Sequence, residues 1–315
     1  MPKKKQMADF ILPLNINGLQ GRMLRMPAPK GKRREIMYVY GHHASLERNF
    51  GVAEYLNKYG GVTVPDLPGF GGMDPFYKIG RKPTLDDMAD YLAAFIKLRY
   101  KRQKFTLTGL SLGFMVITRM LQKYPEMAKQ IDILVSFAGF AHKQDFKYKK
   151  STYYLFRGVT WLFSKRIPAW FVKNIALRGL FIRAGYAIFE PLFIDKKNTK
   201  IRTASKEERK HRIDFEIYLW QCNDPRTYMS MGHTMFTLNL LAHHVNLTVY
   251  HVAIEGDRYF DNGRVEEHMR AIYRDFISVD AKLPAHSPSI IATAEEAAPY
   301  VPPALRKLLN SKVKV

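Results

Sequence analysis

Apolar residues recur along this chain in two rhythms, and the rhythms alternate. Short apolar runs, Phe10 to Asn15 and Leu19 to Met26, flank Asn17-Gly18. That dipeptide is the strongest two-residue hairpin signal, so an antiparallel hairpin should open the chain. Ile36 to Tyr40, Val62 to Val64, Phe105 to Thr108, Ile131 to Phe137 and Leu247 to Ile254 are near-continuous apolar or β-branched runs. Runs of this kind predict strands buried on both faces. Between them lie helical stretches: Leu46 to Tyr59, stopped by Gly60-Gly61; Leu85 to Tyr100, opened by a capping box of Thr84 and Asp87; and Phe114 to Tyr124. Later come helices over Met231 to Ala242 and Arg264 to Phe276, a short strand near Ile277 to Val279, and a helical tail from Ala294 to Leu309. Strands alternating with helices at this spacing predict an α/β fold built on a mostly parallel sheet with helices on both faces.

The alternation breaks once. From Phe140 to Tyr228 no buried strand is evident, only aromatic, basic, helix-like pieces: Tyr153 to Phe163, Ile167 to Ile182, Arg183 to Phe193, and the charged Lys196 to Arg212. The expected organisation is a core of residues 1–139 and 229–315 interrupted by a helical cap at 140–228. No internal repeat or low-complexity segment is evident.

Composition narrows the class. With 315 residues, 47% of them apolar, the chain can bury a full core without crosslinks. Cys222 is the single cysteine, which leaves no disulfide framework or thiolate metal cluster and fits a reducing, cytoplasmic compartment. The basic start, Met1 to Lys5, is followed by an apolar stretch too short and too interrupted for an export signal. Lys and Arg recur every few residues even in the greasiest region, Thr152 to Phe193, so no spanning helix is expected. The formal charge of +22 predicts attraction to anionic surfaces, including peripheral contact with anionic membrane. No helix-turn-helix, RNP or zinc-finger signature accompanies it, so specific nucleic-acid recognition is not expected.

The candidate chemistry centres on Phe105 to Met115, FTLTGLSLGFM: a strand, the turn Gly109-Leu110-Ser111-Leu112-Gly113, then a helix. In a G-x-S-x-G elbow the chain reverses so sharply that the serine is strained and its neighbours at minus two and plus two must lack Cβ atoms. So short a pattern arises by chance, and a serine between two glycines can be a plain turn residue; the context decides. A nucleophilic serine needs a base and a group to orient that base. Catalytic groups of a doubly wound sheet gather at the carboxyl ends of its strands, and Asp257 and His286 both follow late strands, in the order Ser, Asp, His. Asp261 and Glu255 compete for the acid's place, but Asp257 directly follows the strand, whereas Asp261 with Asn262-Gly263 reads as a turn and helix cap. Among the other histidines, His268 falls inside a predicted helix, His243 and His244 at a helix end and His251 within a strand. Adjacent His42 and His43 do not form a metal site by themselves, and no H-E-x-x-H or cysteine cluster accompanies them. No metal or other cofactor is expected.

Together these pieces resemble the α/β-hydrolase fold. Tyr40-Gly41-His42 resembles that family's HG oxyanion segment with Tyr in place of His, and the shaped loop Asp66 to Gly72 (DLPGFGG), the Ser111 elbow, Gly256-Asp257 and His286 complete the match from Ile36 to His286. The resemblance implies acyl transfer to Ser111, with His286 as general base and acid, Asp257 fixing its tautomer, and the backbone N–H groups of His42 and Leu112 as the oxyanion hole. It also places the cap after the sixth strand, where such proteins carry lids. The expected activity is hydrolysis of carboxylic esters with an apolar acyl or alkyl group, esterase, lipase or lysophospholipase-like, with a lipid-like small-molecule substrate. Thioesterase and amidase chemistry use the same triad and stay open. Relatives that open epoxides or haloalkanes attack with Asp, and this elbow carries Ser. From a different class, the alternative is a non-catalytic protein of this fold that binds a membrane or an acidic partner through its basic cap. Trp161, Trp170, Phe171, Phe181 and Phe189 of the cap read either as packing against the core or as an amphipathic basic lid on anionic membrane. Neither substrate identity nor oligomeric state is written in the sequence.

Overall fold

The protein is described by a computed structural model covering residues 6–184, 205–283, 285–288 and 293–312. Eight strands form one sheet: β1 (Ile11–Ile16), β2 (Leu19–Met26), β3 (Arg34–Val39), β4 (Gly60–Pro65), β5 (Phe105–Leu110), β6 (Ile131–Phe137), β7 (Val245–Ile254) and β8 (Tyr273–Ala281). Their order across the sheet is β1-β2-β4-β3-β5-β6-β7-β8, antiparallel in the first two pairings and parallel in all the others.

The opening hairpin forms as its turn dictates. Asn17 and Gly18 both take positive φ, 52° and 81°, which lets the turn follow the twist of the flanking strands. From the middle of the sheet to its β8 edge, Val39, Gly109, Ser136, His251 and Ser278 lie side by side on β3, β5, β6, β7 and β8. That register places the exits of these five parallel strands along one edge of the sheet, so the segments that follow them form a single rim.

Helices α1 (Leu46–Leu56), α2 (Leu85–Tyr100) and α3 (Leu112–Lys123) connect the first strands and pack around the sheet. The Thr84–Asp87 capping box is present and α2 ends at Tyr100 as its periodicity predicts. Helices α4 (Lys150–Phe163), α5 (Arg166–Phe171), α6 (Lys206–Cys222) and α7 (Pro225–Thr237) follow β6; α8 (Asn262–Ile272) joins β7 to β8; α9 (Ala294–Ala297) and α10 (Pro303–Asn310) close the chain. Most of the helix expected over Arg183 to Phe193, Phe189 included, and the first part of the Lys196 to Arg212 stretch lie outside the described residues. Among the described residues no helix is long and apolar enough to cross a membrane.

The helix expected over Ile167 to Ile182 breaks after Phe171, the tail expected as one helix over Ala294 to Leu309 is split into α9 and α10, and the charged stretch expected to end at Arg212 runs on to Cys222 in α6. At three further boundaries a long-range contact overrides local preference. Gly60 and Gly61 do not merely stop α1; they begin β4, because a Cβ on Gly60 would collide with the Arg34 carbonyl of the neighbouring strand. The helix expected over Met231 to Ala242 starts earlier, where Asp224 caps it and Pro225 occupies its first position, and it ends at Thr237. Beyond that point Leu238 O accepts from Lys143 N and Leu240 N donates to Ala141 O, tying the chain to the exit of β6. The division drawn at 228/229 therefore falls inside α7. Finally, α8 ends at Ile272 and not at Phe276, because Tyr273 pairs with Val245 and buries its ring with the hydroxyl 2.7 Å from Thr118 Oγ1.

Candidate active site

The elbow takes its shape from two close approaches. Ser111 has φ 50° and ψ −116°, a conformation an L-residue adopts at a cost on the order of 1–3 kcal/mol. A Cβ on Gly109 would meet the Phe114 backbone nitrogen at 2.8 Å, and one on Gly113 would collide with the carbonyl oxygens of Val39 and Tyr40. Neither position can hold a side chain without moving β3 or α3. The strain is held in place from both sides: Ser111 N donates to Phe137 O at 3.0 Å, while Ser111 O accepts from Phe114 N and Met115 N at 3.0 and 3.1 Å. Ser111 thus stands at the carboxyl end of β5, 9% exposed, as the N-cap of α3.

Leu112 begins α3, so its N–H has no intrahelical acceptor and lies at the positive end of the helix dipole. The segment leaving β3 lies against the elbow: a Cβ on Gly41 would sit 3.3 Å from the Ser111 Cβ and 3.3 Å from Leu110 O. His42 follows directly. Its imidazole Nε2 donates to Tyr228 O at 2.9 Å, and its ring lies 3.8 Å from that of Tyr228. Burial pushes the His42 imidazole down to about 4, against the upward pull of that carbonyl, so the ring stays neutral near pH 7.

Asp257 and His286 meet. His286 Nδ1 lies 2.6 Å from Asp257 Oδ2, while Oδ1 of the same carboxylate accepts from the backbone N–H groups of Tyr259 and Phe260 at 2.7 and 3.3 Å. Burial alone would raise the Asp257 carboxyl, but the His286 hydrogen bond and those backbone donors outweigh it and hold the group below its ordinary value. An ionised Asp257 fixes the proton on Nδ1 and leaves Nε2 as the free base. The His286 ring is held edge-on to Tyr259 and against Phe260. Of the competing acids, Asp261 caps α8 by accepting from Arg264 N at 3.1 Å. A hydrogen bond between Ser111 Oγ and His286 is not present; catalytic hydrogen bonds of this type are commonly long before substrate binds.

A second carboxylate–imidazole pair lies nearby. Asp145, fully buried in the turn after β6, bonds His268 Nδ1 through Oδ1 and accepts the N–H groups of Ala141 and His142 through Oδ2. Because Asp145 O also accepts from Asp261 N, and Lys147 contacts Asp257 O and donates its N–H to Tyr259 O, this cluster clamps the Asp257 loop to the exit of β6. His268 thus has a positioning contact despite its place within a helix. His251 is likewise structural, its Nδ1 2.9 Å from Ser136 Oγ inside the sheet.

The DLPGFGG loop is fixed by a polar network that the sequence pattern does not reveal. Arg22 on β2 reaches Glu47 with both terminal nitrogens (2.6 and 2.9 Å), Asp66 with Nε (2.9 Å) and Gly71 O (2.8 Å). The Tyr40 hydroxyl donates to Asp66 Oδ1 at 2.7 Å and accepts from Leu67 N at 3.0 Å. Burial pushes the Asp66 carboxyl up to about 7, against the pull of Arg22 and Tyr40. Gly71 takes φ +61° directly over Asp66, leaving no room for a side chain. Replacing Arg22 with Met should strand Asp66 and Glu47 without their cation and destabilise the fold by about 3 kcal/mol, lowering Tm by roughly 5–10 °C. Thermal unfolding checks this, and an unchanged Tm would contradict it.

Helices α6 and α7 clasp the same rim. Gly72 N donates to Cys222 O (2.8 Å), Gly71 N to Asn223 Oδ1 (3.0 Å) and Asp224 N to Gly69 O (2.8 Å). His43, with φ 55°, pairs through Nε2 with Glu216 Oε2 at 2.8 Å and packs on Trp220. Sequence reading missed Arg22, Glu47, Glu216 and Tyr228 as supports of the rim. They lie up to 196 residues from their partners, as for Arg22 and Tyr218, and carry no local pattern.

Sheet order, elbow and rim occur together in a known fold. Comparison with solved structures finds an acetylester hydrolase from Corynebacterium glutamicum (TM-score 0.66, 12% identity, 93% of this chain and 90% of that one). A thermophilic esterase from Thermogutta terrifontis (0.60, 16%, 96% and 98%) and a membrane phospholipase A (0.62, 14%, 96% and 87%) are also similar. This chain has the α/β-hydrolase fold. No protein-family model and no curated protein sequence matches it. At such low identity the likeness of this α/β-hydrolase-fold chain to those proteins extends to the fold; its chemistry is argued from its own residues. Among the described residues no group of three or more His, Cys, Asp or Glu is arranged to hold a metal.

Proposed function

We propose that this protein is a serine hydrolase of carboxylic esters, acting through a Ser111–His286–Asp257 triad and an acyl-enzyme. The observation that carries this reading is the strained Ser111 elbow at the end of β5, on the same rim as the paired Asp257 and His286 after β7 and β8. His286 Nε2 takes the proton of Ser111 Oγ as that oxygen attacks the ester carbonyl. The oxyanion accepts from the N–H groups of Leu112 and His42. His286 then returns the proton to the departing alkoxide, and water repeats the sequence on the acyl-enzyme. Each N–H donor is worth about 100-fold to 1,000-fold in rate.

An aromatic cluster supports an apolar acyl or alkyl group. Phe260 touches His286 and stacks on Phe140 at 4.4 Å, and Phe146 links it to Phe236 of α7 (both 4.9 Å). Through Tyr148 and Phe156 the cluster reaches α4, which supports the reading of the helices after β6 as a cap with an apolar base. A p-nitrophenyl ester series from acetate to hexanoate should show kcat/KM rising about two- to fourfold per methylene, the worth of burying one CH2 group. A flat or falling series contradicts the apolar site. Total absence of turnover would favour the second reading, a non-catalytic α/β-hydrolase-fold protein binding through its basic surface.

A further inference from the structure

Helix α4 carries two apolar stripes, and the fold uses one of them. Tyr153, Phe156 and Thr160, spaced i, i+3, i+7, face α7: the Tyr153 hydroxyl donates to Phe236 O, the Phe156 ring lies 6.2 Å from Phe236, and Thr160 fills the space beside Gly232. The other stripe, Leu155, Val159 and Leu162 at i, i+4, i+7, with Trp161 beside it, faces solvent; Leu155 is 62% exposed. No residue of α4 is buried. The exposed face continues through α5 with Ile167 (79%) and Trp170 (61%) and on to Leu180 (77%). So many large apolar side chains left exposed along consecutive helices mark an interaction surface.

Charge chooses the partner. From Phe146 to Phe189 the sequence holds no carboxylate. Lys165 and Arg166 stand exposed between the apolar side chains of α4 and α5, with the Lys165 ammonium 4.8 Å over the Trp161 ring. A second copy applied to this face would set cation against cation. An anionic bilayer satisfies both features: tryptophan, leucine and isoleucine enter the acyl boundary while ammonium and guanidinium groups stay level with the lipid phosphates.

We propose that the outer face of α4 and α5 docks the protein on an anionic lipid bilayer. The inference is independent of the triad, and its test keeps the two apart. Full-length protein is sedimented with vesicles of phosphatidylcholine alone and of phosphatidylcholine mixed with phosphatidylglycerol, at low and high salt. Wild type should bind the mixed vesicles, bind the neutral ones far more weakly, and be released by salt. The variant K165Q/R166Q should bind about 30-fold more weakly, from the known worth of each basic residue near an anionic surface. L155S/W161S/I167S/W170S should also lose binding, and both variants should keep the wild-type Tm and the wild-type turnover of a short, soluble ester. Absence of vesicle binding, indifference to phosphatidylglycerol, or a solution dimer that the four-serine variant splits would each overturn the proposal. Lack of ester turnover in all three proteins would sink the hydrolase reading and leave the vesicle result standing.

Discussion

Ser111→Ala is expected to lower kcat for p-nitrophenyl butyrate by about 10,000-fold or more while leaving the folded structure intact. The size follows from what is removed: the oxygen that forms the acyl bond, with no neighbouring hydroxyl or thiol on the elbow to replace it. What survives is the catalysis supplied by binding and the oxyanion donors, about 1,000-fold to 10,000-fold over water in enzymes of this type. Alanine suffers the same φ of 50° as serine, so a lost rate with an unchanged Tm separates chemistry from folding. Equal rates for wild type and variant, measured at saturating ester, would remove Ser111 from the mechanism.

The second large effect falls on Asp257→Asn, for which a loss of about 1,000-fold to 10,000-fold in kcat is expected. Asparagine keeps the shape and can still accept from Tyr259 and Phe260 through its carbonyl oxygen. That orientation turns its NH2 group toward His286 Nδ1. The imidazole must then place its own proton on Nε2, and the lone pair that should take the Ser111 proton is lost. Asp261→Asn and Glu255→Gln are the controls. Asp261 caps α8, and asparagine caps as well as aspartate, so Asp261→Asn should change neither stability nor rate appreciably. A variant at 261 or 255 that loses turnover as Asp257→Asn does would move the acid elsewhere.

Sequence alone gives the strands and the elbow because their signals are local. Ile131 to Phe137 is apolar but for Asp132 and Ser136 and is a central strand; Thr84 and Asp87 sit three apart and form the predicted box; Gly109 and Gly113 are required by contacts within five residues or with the adjacent strand. Asp257 and His286 are found by chain order, which the strand sequence translates into position on the rim. What local pattern misses is set by partners far along the chain. Gly60 is read as a helix stop, yet its role is to let β4 approach Arg34; Tyr273 is read as helix, yet it pairs with Val245 and bonds Thr118. Arg22 is one cation among fifty Lys and Arg, and only the fold brings it between Asp66 and Glu47. The supports contributed by Glu216, Tyr228 and the Asp145–His268 pair are hidden for the same reason.

The central claim is that one serine of this chain is an activated nucleophile. A fluorophosphonate reacts with such a serine and with almost no other hydroxyl, so peptide mapping after labelling tests it most directly. The structure leads us to expect one phosphonylated residue, Ser111, with labelling lost in Ser111→Ala and greatly slowed in Asp257→Asn. Label on a different residue, or no label on the folded protein, would contradict the account.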